Sequence, residues 1–296
     1  MTPSSKLVFF GTEDFSLPTL RALVDSGYNV AAVITKPDTP RGRSKQLIEP
    51  AVKVFAREHN LPVLQPQRLA DIQNELETIA PDAGVLVSYG KILPGRTLDV
   101  FGEPGIINIH PSLLPRYRGP APIEAAILAG DTATGISIMR LTAGMDEGPI
   151  FAQTHHELDG TETKPELNDT LSERGASFLL EVLDDILTGK LSPTPQQTSG
   201  VSYTTLISKQ DGMLTPATDD AHALERKVRA YLGYPKSRLS IKNTDVIITS
   251  VKVVESLDSG PLVIECANNT YLEVRELIAP SGKTMSGEAF LRGYSN

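Results

Sequence analysis

The chain has 296 residues, of which 40% are hydrophobic and 22% are charged. This length and composition predict about two globular domains and exclude extensive disorder. The formal net charge of −8 argues against a surface that binds nucleic acid indiscriminately.

The N-terminal stretch MTPSSKLVFFGTEDF contains one lysine and a short apolar run. The run is too short for a signal-peptide core or a membrane span. We therefore expect a cytoplasmic protein without a membrane partner. We also expect the protein to act as a monomer. The single cysteine, Cys266, excludes an internal disulfide framework, and its position in VIECAN predicts a buried strand residue.

The first half of the chain alternates strand-like and helix-like segments. The strand-like runs are LVFF, VAAVIT, PVLQ, AGVLVSY and INIH, and the helix-like segments are FSLPTLRALVDSG, PAVKVFAREHN and residues 69–79. This alternation predicts an α/β fold with a doubly wound, mostly parallel, Rossmann-like sheet. The first turn, FFGTEDF, has only Gly11 where a dinucleotide fingerprint needs three glycines, which disfavours an ordinary NAD or FAD site.

The segment ELNDTLSERGASFLLEVLDDILTGK predicts an amphipathic helix that ends before Gly189. Its apolar side chains on one face predict core packing: Leu171, Phe178, Leu179, Val182, Leu183 and Ile186. The following SPTPQQTSGVSY has the composition of a linker. We therefore expect a catalytic domain at 1–192, a linker at 193–207 and a second domain at 208–296.

The second domain contains one helix-like run, DDAHALERKVRAY, followed by the strand-like runs SRLSI, DVIITSVKVVE, PLVIECA and TYLEVREL. Short strands separated by turn signals predict a small, OB-like β-barrel. From residue 208 onward, 11 basic residues balance 11 acidic ones, so the acidic excess lies in the first part of the chain. An accessory role in substrate recognition suits a domain of this size.

Side chains suited to chemistry are densest between residues 106 and 149. Asn108 and His110 occupy alternate positions of a strand and therefore face the same way at the carboxyl edge of the sheet. Pro111 and Pro115 restrict the backbone of HPSLLP, which predicts a rigid turn. One ligand could contact both side chains while the turn holds a flat heterocycle.

With the later run GMDEG, this stretch resembles the active-site core of the formyltransferases that use 10-formyltetrahydrofolate. The resemblance implies that this folate is the co-substrate and that Ser112, Leu113, Leu114 and Pro115 contact it. It also implies that SYGKILP, residues 88–94, and the loop 142–147 flank the pterin pocket. A buried strand end and turn is the alternative reading of SYGKILP.

Formyl transfer to an amine passes through a tetrahedral species with negative charge on oxygen. Asn108 and a ring N–H of His110 can stabilise that charge. One such donor typically lowers the activation barrier by roughly 3 kcal/mol. Asp146 would orient or charge His110 and help to move the amine proton, an effect of about 10² to 10⁴ in rate. This chemistry needs no metal, and the adjacent residues His155 and His156 face opposite ways on a strand.

The loop TKPDTPRGRSKQL bears on the acceptor. It resembles the loop that methionyl-tRNA formyltransferases insert to grip the acceptor stem, which implies methionyl initiator tRNA as the partner and its α-amino group as the acceptor. The basic residues expected to bind tRNA phosphates are Lys36, Arg41, Arg43 and Lys45. Composition alone favours a solvated charged loop, whereas the PDxPxGR pattern favours tRNA binding with Arg43 foremost.

The second domain departs from the family pattern. It is neutral where a basic surface is expected, the chain has no tryptophan, and ISKQDGMLTP lacks the aromatic residue usually found downstream. Two alternatives therefore stay open: an amino-sugar formyltransferase that acts on a sugar nucleotide with the same donor, and a folate- or RNA-binding module without catalytic activity.

Overall fold

The computed structural model describes residues 5–41 and 46–294. They form two compact units, and each is described by itself. The first unit comprises the residues up to Pro120 with Thr134–His156 and Asn168–Tyr203, and the second comprises Ala121–Ala133, Glu157–Leu167 and the chain from Thr204. Each unit is therefore built from segments that are not continuous in sequence.

A seven-stranded sheet forms the first unit, in the order β5-β2-β1-β6-β7-β8-β9. Its strands are β1 (Lys6–Gly11), β2 (Asn29–Ile34), β5 (Val63–Leu64), β6 (Ala83–Val87), β7 (Gly105–His110), β8 (Ala133–Arg140) and β9 (Ile150–Glu157), while β3 (Thr39–Arg41) and β4 (Gln46–Ile48) form a separate antiparallel pair. The neighbouring strands β5, β2, β1, β6 and β7 pair in parallel, and β8 is antiparallel to β7. The predicted mostly parallel, Rossmann-like sheet is confirmed.

The described helices are α1 (Leu17–Asp25), α2 (Ala51–Glu58), α3 (Gln73–Ile79), α4 (Gly95–Leu98), α5 (Pro122–Ala129), α6 (Lys164–Leu187), α7 (Ala221–Ala230) and α8 (Gly287–Gly293). The helices predicted in the first half are present, and the one over 69–79 starts with a 3₁₀ turn. The apolar stripe of α6 is buried at Leu171, Leu179, Leu183 and Ile186 and half-buried at the two other predicted positions. Gly189 follows with a φ of +72°, as expected for a residue just beyond a helix end.

Within residues 5–41 and 46–294, no helix combines enough length with enough apolar character to cross a membrane.

The first unit has its core around the central strands, whose residues are almost all buried. Such continuous burial is typical of parallel strands that are covered on both faces. Phe10 packs edge-to-face against Tyr89 and Phe101, with ring centroids 5.8 and 5.9 Å apart. The Tyr89 hydroxyl lies inside this core, and burial raises its pKa to about 12.

The strand order reverses between β1 and β6. From β1 the chain first adds β2 and β5 on one side, and it then returns to add β6 and β7 on the other side. In open parallel sheets, ligands bind at the carboxyl ends of strands beside such a reversal. At this edge the Thr12 hydroxyl donates to the carbonyl oxygen of Tyr89 at 3.1 Å, which joins the segments that follow β1 and β6.

The second unit contains a five-stranded sheet of β10 (Ser237–Ile241), β11 (Thr244–Val254), β12 (Val263–Cys266), β13 (Thr270–Ile278) and β14 (Thr284–Ser286). All its pairings are antiparallel. Helix α7 packs on β11 and β13 and also contacts α5. The predicted small β domain and its four strand-like runs are confirmed, while β14 and α8 are additions. Cys266 is buried as predicted, and burial raises its pKa to about 11.

Candidate active site

Asn108 and His110 lie at the carboxyl end of β7, between β6 and β8. Their exposed fractions are only 5% and 4%. Asn108 is opposite Leu86 of β6, and His110 is opposite Ser137 of β8. Because the two residues are two positions apart on one strand, their side chains leave the same face of the sheet.

The His110 ring has a different neighbour at each nitrogen. Nε2 lies 3.0 Å from the carbonyl oxygen of Tyr117, and Nδ1 lies 3.7 Å from Oδ2 of Asp146. A carbonyl oxygen only accepts, so Nε2 carries the hydrogen and Nδ1 is the nitrogen that faces the carboxylate. Burial lowers the pKa of His110, while the Asp146 charge and the Tyr117 carbonyl oppose that shift. The neutral ring therefore presents an open basic nitrogen to Asp146, and its one N–H is directed at Tyr117 and is not available for the oxyanion contact expected from the sequence.

Asp146 is placed by the turn that follows the SLLP residues. Its Oδ2 accepts a hydrogen bond of 2.7 Å from the backbone N–H of Gly119, and its own φ is +49°. Further along the loop, a Cβ on Gly148 would overlap the carbonyl oxygen of Arg140, so only glycine fits at this close approach. The loop thus has a defined path that brings its carboxylate to His110.

The SLLP turn is tied to β8 and β9 by two polar side chains. Ser137 Oγ donates to the Ser112 carbonyl at 2.6 Å and accepts from the Leu114 N–H at 3.1 Å. Gln153 Nε2 donates to the Leu114 carbonyl at 2.9 Å and to Ser137 Oγ at 2.8 Å. These contacts use main-chain groups of the turn, so they fix its shape without occupying its side chains.

The four residues expected to contact the folate lie together in this turn. Ser112 and Leu114 are buried, and the Ser112 hydroxyl donates to the Arg116 carbonyl at 2.7 Å. Leu113 and Pro115 are half-buried and form the more accessible part of the turn. Their contact with folate stays a prediction.

The two segments expected to flank the pterin pocket both carry exposed apolar side chains. Ile92 in the segment 88–94 is 86% exposed, and Met145 in the loop 142–147 is 54% exposed. Lys91 instead folds back and donates to the carbonyl oxygens of Pro66 and Gln67 at 3.0 and 2.8 Å. Exposed apolar groups beside a polar centre are suited to the faces of an aromatic ligand.

The basic loop is anchored at its base. Asp38 accepts hydrogen bonds from Gln65 Nε2 and Lys53 Nζ, both at 2.7 Å, and these partners lower its pKa. Glu49 pairs with Arg57 and Lys53 at 2.9 Å. The loop therefore starts and ends at fixed points on the first unit.

The predicted tRNA-binding residues are described to different extents. Lys36 lies at the base of the loop, with Nζ 3.7 Å from the Glu13 carboxylate and close to Gly90. Arg43 and Lys45 lie outside the described residues, and only the backbone of Arg41, at the end of β3, is described. The tRNA-binding role of all four stays a prediction.

Sequence reasoning missed several residues that build this site. No local sequence pattern marks Ser137 or Gln153 as part of a site, because isolated serine and glutamine residues are usually exposed to solvent. Arg118 lies shortly after the HPSLLP turn but is buried, and it donates to Gln196 in the segment read as a linker. No group of three or more His, Cys, Asp or Glu residues within 5–41 and 46–294 is arranged to hold a metal.

Comparison with known proteins covers nearly the whole chain. The Formyl transferase family matches residues 5–183, and the Formyl transferase, C-terminal domain family matches residues 206–295. Methionyl-tRNA formyltransferase of Halorhodospira halophila is 37% identical over 302 residues, covering 98% of this chain and 96% of that protein. Its counterpart in Geobacillus thermodenitrificans is 35% identical, with coverage of 98% and 94%.

Solved structures share the fold at low sequence identity. An N-formyltransferase from Helicobacter canadensis in complex with folinic acid and dTDP-3-aminofucose superposes with a TM-score of 0.68 at 17% identity, covering 90% of this chain and 98% of that one. HypX from Aquifex aeolicus in complex with tetrahydrofolic acid gives 0.65 at 15% identity, covering 98% and 47%. Sequence and fold lead to one assignment: the chain belongs to the formyl transferase family.

Proposed function

We propose that this protein transfers the formyl group of 10-formyltetrahydrofolate to the α-amino group of methionyl initiator tRNA. The product, N-formylmethionyl-tRNA, would serve translation initiation in the cytoplasm. The observation that carries the proposal is the pairing of His110 with Asp146 beside Asn108 at the end of β7. Relatives at 35–38% identity along nearly the full chain are named methionyl-tRNA formyltransferase, which supports this acceptor.

The donor would lie at the carboxyl edge of the sheet. The formyl carbon must reach Asn108 and His110, while the pterin rests against the turn 112–115. The exposed Ile92 and Met145 would cover the faces of the pterin ring, where their transfer out of water favours binding. The proposed enzyme acts as a monomer.

The reaction begins when the neutral acceptor amine attacks the formyl carbon of the donor. A carbon–nitrogen bond forms, and the carbonyl electrons move to oxygen. The Asn108 amide donates a hydrogen bond to this oxyanion. An interaction of this kind lowers the activation barrier by roughly 3 kcal/mol.

Proton transfer falls to the His110–Asp146 pair. Nδ1 of His110 is neutral and open, so it can take the proton that the attacking amine must lose. The resulting imidazolium is stabilised by the Asp146 carboxylate and by the Tyr117 carbonyl at Nε2. When the bond from carbon to the folate nitrogen breaks, that nitrogen takes the proton, the carbonyl re-forms and tetrahydrofolate leaves.

Acceptor binding would use the loop 36–49 and the second domain. We propose that Arg43, supported by Lys36, Arg41 and Lys45, contacts phosphates of the acceptor stem. The two acids of this loop pair with Lys53 and Arg57 of α2, so partners outside the loop neutralise them. In the domain division that we propose, 208–296 supports tRNA, 193–207 is the connection and 1–192 carries the chemistry.

The deciding experiment supplies purified protein with 10-formyltetrahydrofolate and charged initiator tRNA, with a charged elongator tRNA as the control. We expect N-formylmethionine on the initiator tRNA, detected by mass spectrometry after mild base hydrolysis of the ester. The same assay offered an amino-sugar nucleotide should give no formylated sugar. Formylation of the sugar with none of the tRNA would overturn the proposal.

A further inference from the structure

The side chain of Gln196 reaches the backbone of the loop that carries Asp146. Its Nε2 donates to the carbonyl oxygens of Asp146 at 2.7 Å and of Gly148 at 2.8 Å. A primary amide has two N–H donors, so each carbonyl can take one of them. Both donors therefore hold the loop immediately next to the catalytic carboxylate.

The oxygen of the same amide faces the turn that contacts His110. Gln196 Oε1 accepts from Arg118 Nε at 3.0 Å and from Nη2 at 2.8 Å. Arg118 is buried and follows Tyr117, whose carbonyl accepts from His110. It also precedes Gly119, whose N–H donates to Asp146. One side chain thus links the two segments that contact the His110–Asp146 pair.

Backbone contacts fix the segment around Gln196 on both sides. Thr194 exchanges two hydrogen bonds of 2.8 Å with Ile150. Ser202 accepts from the Arg118 N–H at 2.9 Å and donates from its own N–H to the Pro115 carbonyl at 3.2 Å. The glutamine is therefore held between anchored points, as a positioning group must be.

We propose that Gln196 is a positioning residue that sets the distance between Asp146 and His110 during formyl transfer. It acts through its two N–H donors on the Asp146 loop, and its oxygen keeps Arg118 in register with that loop. Because Gln196 acts through Asp146, its role deepens the proposed function and rests on it.

Two substitutions separate the donors of Gln196 from its acceptor. Gln196→Met keeps a similar volume but removes both, whereas Gln196→Glu keeps an acceptor for Arg118 and loses the N–H donors. The matched controls are Gln73→Met and Gln73→Glu. Gln73 Nε2 also makes two hydrogen bonds, to Glu77 and to the Arg96 carbonyl, at another place in the first unit. Thermal melts of all four variants show whether each one folds.

Steady-state kinetics gives separate values of kcat and KM for each variant. A displaced Asp146 should lower kcat about tenfold or more in both Gln196 variants, because small misplacements of catalytic groups cost up to about 10²-fold. KM for the folate and for charged tRNA should stay within about twofold of wild type, since the Gln196 amide is engaged by the Asp146 loop and Arg118 and is assigned no substrate contact. The Gln73 variants should match wild type in both parameters.

A second readout does not depend on the acceptor. The imidazole resonances of His110, assigned by their loss in His110→Asn, are followed through a pH titration by NMR. The Asp146 charge raises the pKa of His110 against burial, so moving that charge away should lower the midpoint further. If the Asp146 carboxylate moves one to two ångströms away from His110, the titration midpoint of His110 should fall by about one pH unit.

The outcomes are distinct. Wild-type kcat together with a wild-type His110 midpoint in either folded Gln196 variant would overturn the positioning role. Loss of activity in Gln196→Met alone would show that only the Arg118 contact matters, and it would likewise overturn the role of the donors. If wild-type protein fails to formylate tRNA, the proposed function fails, and the titration still decides whether Gln196 places Asp146.

Discussion

The end of β7 and the loop between residues 36 and 49 are built in opposite ways. At β7, buried side chains meet through backbone and side-chain hydrogen bonds from several segments, which together hold the distances between them. The described part of the loop is held at its base by ion pairs, where Asp38 and Glu49 pair with cations of α2. From this comparison we expect the chemistry to depend on geometry and the choice of acceptor on charge. Substitutions in the first region should therefore change kcat, and those in the second should change KM and salt dependence.

The largest effect is expected from His110→Asn. The variant loses the proton acceptor, so kcat/KM should fall about 10³-fold, within the range of general base catalysis. Affinity for charged tRNA, measured by filter binding, should not change. His222→Asn, at an exposed position of α7, is the control and should behave as wild type. A rate within threefold of wild type would contradict the role of His110.

Asp146→Asn should lower kcat about 10²-fold, because the amide cannot stabilise the imidazolium. The amide oxygen can still accept from Gly119, so the loop keeps its anchor.

The pH profile gives a second check. Burial lowers the pKa of His110, so wild-type activity should be lost only as pH falls below the ordinary histidine range. Removing the Asp146 charge lowers that pKa again, so the acid limb should move to lower pH, and movement to higher pH would contradict the assignment.

Arg43→Ala and Arg41→Ala test the other region. Each should raise KM for charged tRNA severalfold and reduce the slope of log affinity against log salt by about one, since one phosphate contact is lost. The value of kcat at saturating tRNA should stay near that of wild type. Arg96→Ala removes an exposed arginine of α4 and serves as the control. Equal salt slopes in all three variants would remove the loop from the tRNA interface.

The smallest effect is expected from Asp38→Asn. The amide oxygen can still accept from Gln65, while the ion pair with Lys53 is lost. The pair is partly accessible to solvent, which limits its contribution, so we expect KM for tRNA to rise only about two- to threefold, with kcat unchanged. Steady-state kinetics at fixed salt would measure this change. A lower kcat at unchanged KM would place Asp38 with the catalytic centre instead.

The sequence predicted the placement of the candidate catalytic residues on one strand end, because its signals are local. Asn108 and His110 share a face through the two-residue period of a strand, and prolines mark the turn that follows. The parallel sheet was equally accessible, because apolar runs and helix-like segments alternate with regular spacing.

The supporting contacts were not accessible in this way. Gln196 stands in a stretch whose proline, serine and threonine content is typical of a linker, and 50 positions separate it from its partner Asp146. Ser137 on β8 reaches Ser112, which follows the neighbouring strand β7. Such pairs follow from strand order and not from local spacing. Helix α5 is a further example, since nothing in PIEAAILA indicates that it packs with α7 in the second unit.

The segment that carries Gln196 also determines where this protein could be recombined. Its residues up to Tyr203 cluster with the first unit, although helix α6 ends at Leu187. A chimaera joined directly after α6 would give the centre at β7 a foreign residue in place of Gln196. A junction after Tyr203 would keep the formyl-transfer machinery intact. A chimaera of two relatives should therefore keep formyl transfer with a crossover at the later point and lose it with a crossover at the earlier one.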